Sequence, residues 1–297
     1  MEIRLGKIYD KFPTDNIKVE FLDEITQEQF DKFEFSISQI EELNNIRRLL
    51  DFVVINEKEV LDFLNQSLQS LTSMSTSWNS LTREDYSNVY LNTNRLLLNY
   101  LSSVKTFVDH LETFFNRKFG KESNEYLEFK KLLSLFYDNS FAYRFFYQLR
   151  NYTQHVGLPI HNINFKTDFD RENKSVKGTL KISFNRDKLL TDFKEWKKVK
   201  ADLENQQAEF DLTPLLYEMT HNIMEIERNL ELILKSGLLK SVEYIDKLIG
   251  HLRNDSGEVF VAYNIRTKEN GEIANYESIM IPFDTIDFIQ DDFKISV

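Results

Sequence analysis

The chain has no cysteine, and only eight glycines and four prolines among its 297 residues. Those twelve make up about 4%, where about 12% is average usage. The missing thiols exclude disulfide scaffolds, thiolate zinc sites and cysteine nucleophiles. The scarce turn residues exclude a many-stranded sandwich or barrel, which needs a turn about every 8–12 residues. Long helices are what this leaves. Cationic excess is also lacking: 37 Lys+Arg against 48 Asp+Glu give a formal charge of −11. A protein that coats nucleic acid non-specifically would be basic, although a local basic groove is compatible with this total. No apolar run approaches the roughly 18 residues of a membrane span, and no signal-peptide core follows Met1. The sequence therefore predicts a soluble, cytoplasmic chain with no membrane partner. HExxH, GxSxG, Walker and GxGxxG patterns are missing, and the acidic residues suggest no carboxylate metal cluster. Neither a metal nor another cofactor is expected.

What is present is apolar and aromatic. Hydrophobic residues make up 41% of the chain, with 25 Phe, 13 Tyr and 2 Trp, enough for a sizeable core. Residues 1–12 mix β-branched and charged side chains and suggest an edge strand. From Thr26 the apolar period becomes helical, through Phe30, Phe33, Ile37, Ile40 and Leu43 to Leu50, Val53 and Val54. Asn56 with Glu59 resembles a new N-cap, which predicts a second helix to about Leu71 and a Ser/Thr-rich loop over 70–82. Thr82 with Asp85 then caps a long helix to about Lys118. Its seam is Leu97, Leu101, Val104, Val108, Leu111 and Phe115. Beside the seam runs a polar row, Asn92, Arg95, Asn99, Ser102, Thr106 and His110, either a solvated face or one wall of a cleft.

Further helices are predicted over 122–138 and 141–155, with a break at Asn139-Ser140. A β-hairpin follows over 160–168 and 177–185. Helices resume over 187–206 and 213–236, the latter ended by Gly237, with a shorter one over 238–251. The tail 257–282 reads as strand, turn and strand. The expected fold is mainly α, a helical bundle of long antiparallel helices with small β-hairpin appendages. It divides into an N-terminal strand and helices (1–82), motif-bearing helices (83–160), a hairpin insertion (161–186) and C-terminal helices with a terminal hairpin (187–297).

The segment most suggestive of chemistry is Arg150-Asn151-Tyr152-Thr153-Gln154-His155. Helical rotation puts Ala142, Phe145, Phe146, Leu149 and Tyr152 on a core stripe, and Arg144, Gln148, Asn151 and His155 in a row opposite. Arg150 lies about 140° around the helix from His155, so the two do not meet as an i,i+4 pair. Gly157 and Pro159 predict that the helix stops at His155. The surroundings are electrically unusual for an acidic chain. No acidic residue lies between Asp138 and Asp168, while Arg144, Arg150 and Lys166 do. A second basic stretch, Lys181 to Lys200, is either a solvated helical face or a set of phosphate contacts.

The RNYTQH segment resembles the R-x4-6-H motif, with a polar residue after the arginine, of the HEPN superfamily. The resemblance covers the motif and, as a domain, the helices of about 83–156. It implies an all-α fold, frequent homodimers and metal-independent ribonuclease activity of the kind found in toxin and antiphage systems, with a neutralising antitoxin as a further partner. By that likeness Arg150 and His155 are the catalytic pair and Asn151 supports them. Arg144, Gln148, Arg95, Asn99 and His161 are candidate RNA-binding residues around the pair.

The chemistry suits the residue types. A histidine with an ordinary pKa of about 6.5 exchanges protons at neutral pH, and an arginine fork matches phosphate oxygens while staying charged. Two alternatives remain open on the residues themselves. Arg150 pairs with a neighbouring carboxylate and His155 caps the helix end, in a non-catalytic helical interaction module. Or a cleft beside Asn92, Arg95 and Asn99 binds a nucleotide, provided the two helices pack antiparallel.

Overall fold

The computed structural model describes residues 2–9, 18–76, 81–172, 175–253 and 257–294. Chain order begins β1 (Arg4–Tyr9), β2 (Lys18–Glu24), α1 (Gln27–Thr76), α2 (Arg83–Phe119), α3 (Asn124–Asn139) and α4 (Phe141–His155). Then come β3 (Asn162–Asp170), β4 (Ser175–Asn185), α5 (Arg186–Asp192), α6 (Val199–Glu204) and β5 (Glu209–Asp211). The chain closes with α7 (Leu212–Ile249), a 3-10 turn (Gly250–Leu252), β6 (Glu258–Thr267), β7 (Ile273–Met280) and α8 (Phe283–Lys294). The fold is mainly α, with small antiparallel sheets. Two units divide it, Met1–Asn45 with Glu231–Val297, and Ile46–Leu230. Their limits fall inside α1 and α7 and do not coincide with the four segments read from sequence.

In the first unit an antiparallel sheet has the order β2-β1-β6-β7. Strand β1 is therefore interior, where an edge strand was expected, because β2 supplies a second partner that the sequence pattern did not reveal. Gly6 faces Phe260 across the β1–β6 ladder, and a Cβ there would collide with the Phe260 ring, so only glycine permits this approach. The first turns of α1 bury Phe30, Phe33, Ile37, Ile40 and Leu43, as their spacing predicts. Helix α8 was not foreseen; Ile286, Ile289 and Phe293 anchor it at a spacing of three and four.

Both longest helices run through positions where a break was expected. Asn56 caps nothing: its Nδ2 donates to the Phe52 carbonyl, a bond of the helix interior. The Thr72 and Thr76 hydroxyls likewise donate to the Leu68 and Ser73 carbonyls, so the Ser/Thr-rich segment stays helical to Thr76. Residues 77–80 of the expected loop lie outside the described residues. Gly237 sits within α7, and the helix continues because Leu234, Leu238, Val242, Ile245 and Ile249 keep one stripe buried. That burial outweighs the roughly 1 kcal/mol cost of an interior glycine.

The second unit holds the expected bundle. Thr82 and Asp85 form a reciprocal capping box at α2, and every seam residue from Leu97 to Phe115 is buried. Bonds from Thr82 hold the Asp85 carboxyl below its usual range. Thr82→Ala is expected to cost about 1 kcal/mol at neutral pH. Because the folded-state pKa of Asp85 is depressed, its share of this stability is present above the unfolded pKa. It disappears as the pH falls through the carboxylate range. Urea denaturation of both proteins at neutral and acid pH checks the size and the sign.

Ser140 ends α3 and starts α4, its Oγ accepting from the Tyr143 N–H and the Asn222 amide while donating to Glu218. Helix α4 runs antiparallel to α2: Lys105 lies over the Tyr147 ring, and Asn94, further back along α2, meets Ile160 beyond the end of α4. Strands β3 and β4 pair as the expected hairpin, with Asn162 opposite Ser183 and Asp170 opposite Ser175, and β5 extends the sheet. The helix expected over 187–206 is instead α5, a turn and α6. Trp196 is the reason: it buries completely, its Nε1 donates to the Leu189 carbonyl at 2.9 Å, and Lys197 reverses the chain at a φ of 52°.

Candidate functional site

Helix α4 is amphipathic in the expected register. Ala142, Phe145, Phe146, Leu149 and Tyr152 are all buried, and the helix ends at His155, with the Val156 and Gly157 N–H groups closing on the Tyr152 carbonyl. The opposite row is not a solvent face. Arg144 is half-buried, Gln148 is 3% exposed and Asn151 is half-buried; only His155 is fully exposed. The difference arises because α3 and α6 also pack against α4, an arrangement that helical periodicity does not contain.

Arg144 is committed to the fold. Its Nε and Nη2 grip both carboxylate oxygens of Asp202 at 2.9 and 3.2 Å, and its Nη1 reaches the Tyr137 and Asp138 carbonyls, each at 2.7 Å. Gln148 accepts from the Asn151 amide at 3.1 Å, so these two side chains hold one another. Arg95 and Asn99 lie exposed on α2, in a row whose members from Arg95 to His110 face solvent. The side chain that meets the segment after the motif is buried Asn94, one residue away, whose Oδ1 accepts from the Ile160 N–H at 3.1 Å. The basic stretch from Lys181 to Lys200 is largely ion-paired: Lys181 with Asp211, Arg186 with Asp187, Lys188 with Asp192, Lys198 with Asp138 and Lys200 with Glu204.

Arg150 differs from all of these. It is half-buried beside Leu101, Val104 and Met219. Its Nη1 donates to the neutral Gln154 amide at 2.9 Å, and its buried Nε has no partner among the described residues. His155 is exposed at the open end of the helix, next in the chain to Val156 and close to Leu158, which are 41% and 39% exposed. Along the helix the two positions lie about 140° apart. Among the described residues, no carboxylate forms a hydrogen bond or ion pair with either side chain.

Scans against models of protein families and searches of curated proteins and of solved structures find no match to this chain.

A second titratable cluster lies just past the motif. His161 is half-buried, with Nδ1 accepting from the Asn185 N–H at 3.5 Å and Nε2 lying 3.4 Å from the Tyr152 hydroxyl. Burial first, then the Lys188 charge, pulls its pKa below the ordinary histidine value, against a weaker upward pull from Asp192. Tyr152 is pushed up to about 12, by burial first and then by Asp192. With the Asn185 N–H donating to Nδ1, the tautomer that fits this geometry carries its proton on Nε2, towards Tyr152. Of this cluster only His161 stands out in the sequence. Tyr152 reads there as a core residue, and Asp192 and Lys188 lie some 30 residues away with no spacing to betray them.

Proposed function

We propose that the chain is a HEPN-like, metal-independent endoribonuclease that works as a homodimer. The supporting observation is the state of Arg150. In an acidic protein where Arg144 on the same helix is paired with Asp202, this guanidinium has, among the described residues, one amide partner and an unpartnered Nε, on the helix that ends in exposed His155. A buried donor without a partner is a group poised for a strong acceptor, and phosphate oxygens match it.

Arg150 and His155 lie about 140° apart around the helix, so they meet one substrate either because the helix ends at His155 or because a second copy contributes. Two α4 ends facing each other supply two of each group. Exposed Val156 and Leu158, next to His155, supply apolar surface for that contact. One His155 then takes the proton from a ribose 2′-hydroxyl as its oxygen attacks phosphorus. Arg150 stabilises the charge on the pentavalent phosphate. The His155 of a second copy protonates the departing 5′-oxygen, leaving a 2′,3′-cyclic phosphate and a 5′-hydroxyl. RNA is the partner this chemistry requires, and a neutralising antitoxin or a trigger such as phage infection is the form of control that the toxin and antiphage reading implies.

The purified chain, incubated with mixed RNA in EDTA, is expected to yield fragments with those two end groups and to leave 2′-O-methyl RNA intact. RNA that stays whole, or 2′-O-methyl RNA cut as fast as unmodified RNA, overturns the assignment.

A further inference from the structure

Along the same bundle, α2, α3 and α4 with the turn at 197–198 enclose an open groove of about 450 Å³. Its size is that of a small-ligand site. Four lysines line it, Lys105, Lys130, Lys197 and Lys198, and its tyrosines include Tyr137 and Tyr147. The two rings meet edge to face at 6.4 Å, with Lys198 over the Tyr137 ring and Lys105 over the Tyr147 ring. Three of the lysines touch carboxylates, Lys105 on Asp109, Lys130 on Glu112 and Lys198 on Asp138. These pairs are at least partly exposed, and exposed pairs are weak, so a phosphate competes for the ammonium groups readily. The fourth, Lys197, has a left-handed backbone at a φ of 52°. A bulky residue keeps that conformation only where its surroundings impose it, as buried Trp196 does here.

The groove also leads to the motif. Lys105, Val108, Tyr143 and Tyr147 line both it and a small adjoining cavity that Arg150 helps to enclose. Neighbouring tyrosine rings bordered by lysines suit unpaired bases joined by phosphates, once the lysines swing off the rings to the phosphates, and a duplex hides the base faces that the tyrosines would stack on. We propose that this groove binds single-stranded RNA, stacking bases on Tyr137 and Tyr147 and holding phosphates with the lysines, so that the strand is led toward Arg150. Its role as a substrate path rests on the ribonuclease reading; its binding of RNA does not.

The test uses the full chain and a fluorescently labelled, uncleavable 2′-O-methyl uridine decamer, with anisotropy as the readout. Wild-type protein is expected to bind it and to bind a matched duplex far more weakly. Tyr137→Ala is expected to weaken binding about tenfold, the effect of one lost stacked base. Lys198→Glu, at a side chain 72% exposed and so harmless to folding, is expected to weaken it and to lower the salt dependence. Lys268→Glu, in the β6–β7 turn of the other unit, should bind as wild type does. Absent binding, equal binding of the duplex, or undiminished binding by Lys198→Glu overturns the groove, as does an acidic peptide that displaces the decamer while duplex does not. Cleavage by a chain whose groove variants bind and cut like wild type leaves the ribonuclease standing without the groove. Groove-dependent binding by a chain that cuts nothing does the reverse.

Discussion

Replacing His155 with alanine is expected to slow RNA cleavage by about 10²–10⁴-fold, the usual contribution of a positioned general acid or base. The thermal midpoint should stay close to that of the wild type, because the side chain is exposed on the last residue of α4 and its removal opens no cavity. Arg150→Ala should slow cleavage through a different term, the stabilisation of charge on phosphorus. Arg150→Lys keeps the charge but not the two-pronged geometry, so it should fall between alanine and wild type. The proposed homodimer adds a sharper consequence. Refolding wild-type chain with an excess of His155→Ala from denaturant creates mixed dimers with only one intact histidine, and because both His155 side chains act in one cleft these should be nearly as slow as His155→Ala itself. Single-turnover cleavage in EDTA reads all of these. Full activity in His155→Ala ends the catalytic assignment, and mixed dimers that keep half the wild-type rate end the shared cleft.

Trp196→Ala is expected to cost about 3–5 kcal/mol of folding stability, the range for removing a large aromatic residue from a core. Trp196 is 1% exposed and stacks on Phe145 and Tyr152, with ring centroids 6.0 and 5.9 Å apart, while Phe193 meets it edge-on at 5.2 Å. Little around it can collapse into the space, because the neighbours are rings already held by α4 and the β4–β5 sheet. Trp196→Phe keeps much of the buried surface but loses the indole bond to Leu189, so about 1–2 kcal/mol is expected. Urea denaturation monitored by far-ultraviolet circular dichroism measures both, and a loss below about 1 kcal/mol for the alanine variant would contradict this account of the core. Because Tyr152 stacks on Trp196 and touches His161, the same variant should also loosen the cluster past the motif.

Several parts of this protein are legible in its residues alone because the forces behind them are local. A capping box spans four residues, and the α2 seam and the α4 core stripe follow from helical geometry whatever surrounds them. The stop at His155 and the β3–β4 and β6–β7 hairpins are local in the same sense. Helix interruptions are less legible. Asn56, Thr72 and Gly237 all read as breaks, yet each lies in an unbroken helix, since burial of the adjoining apolar stripe outweighs their individual preferences. Trp196 makes the opposite point, turning a helical-looking stretch into a bend because its ring is buried in a distant core.

The candidate site divides along the same line. That Arg150, Asn151 and His155 share one helix end follows from their order in the chain. Which cations remain available does not. Arg144 and Arg150 share one acid-free window of the sequence, but Asp202, 58 residues on, grips the first, and among the described residues no carboxylate grips the second. Likewise Asp192 and Lys188 reach His161, and Lys105, Lys130 and Lys198 line one groove, only because helices remote in sequence pack together. Periodicity records which side of an element is apolar, a property of neighbouring residues. The charge state and availability of a side chain depend on what packs against it from elsewhere, and that is decided only when the chain folds.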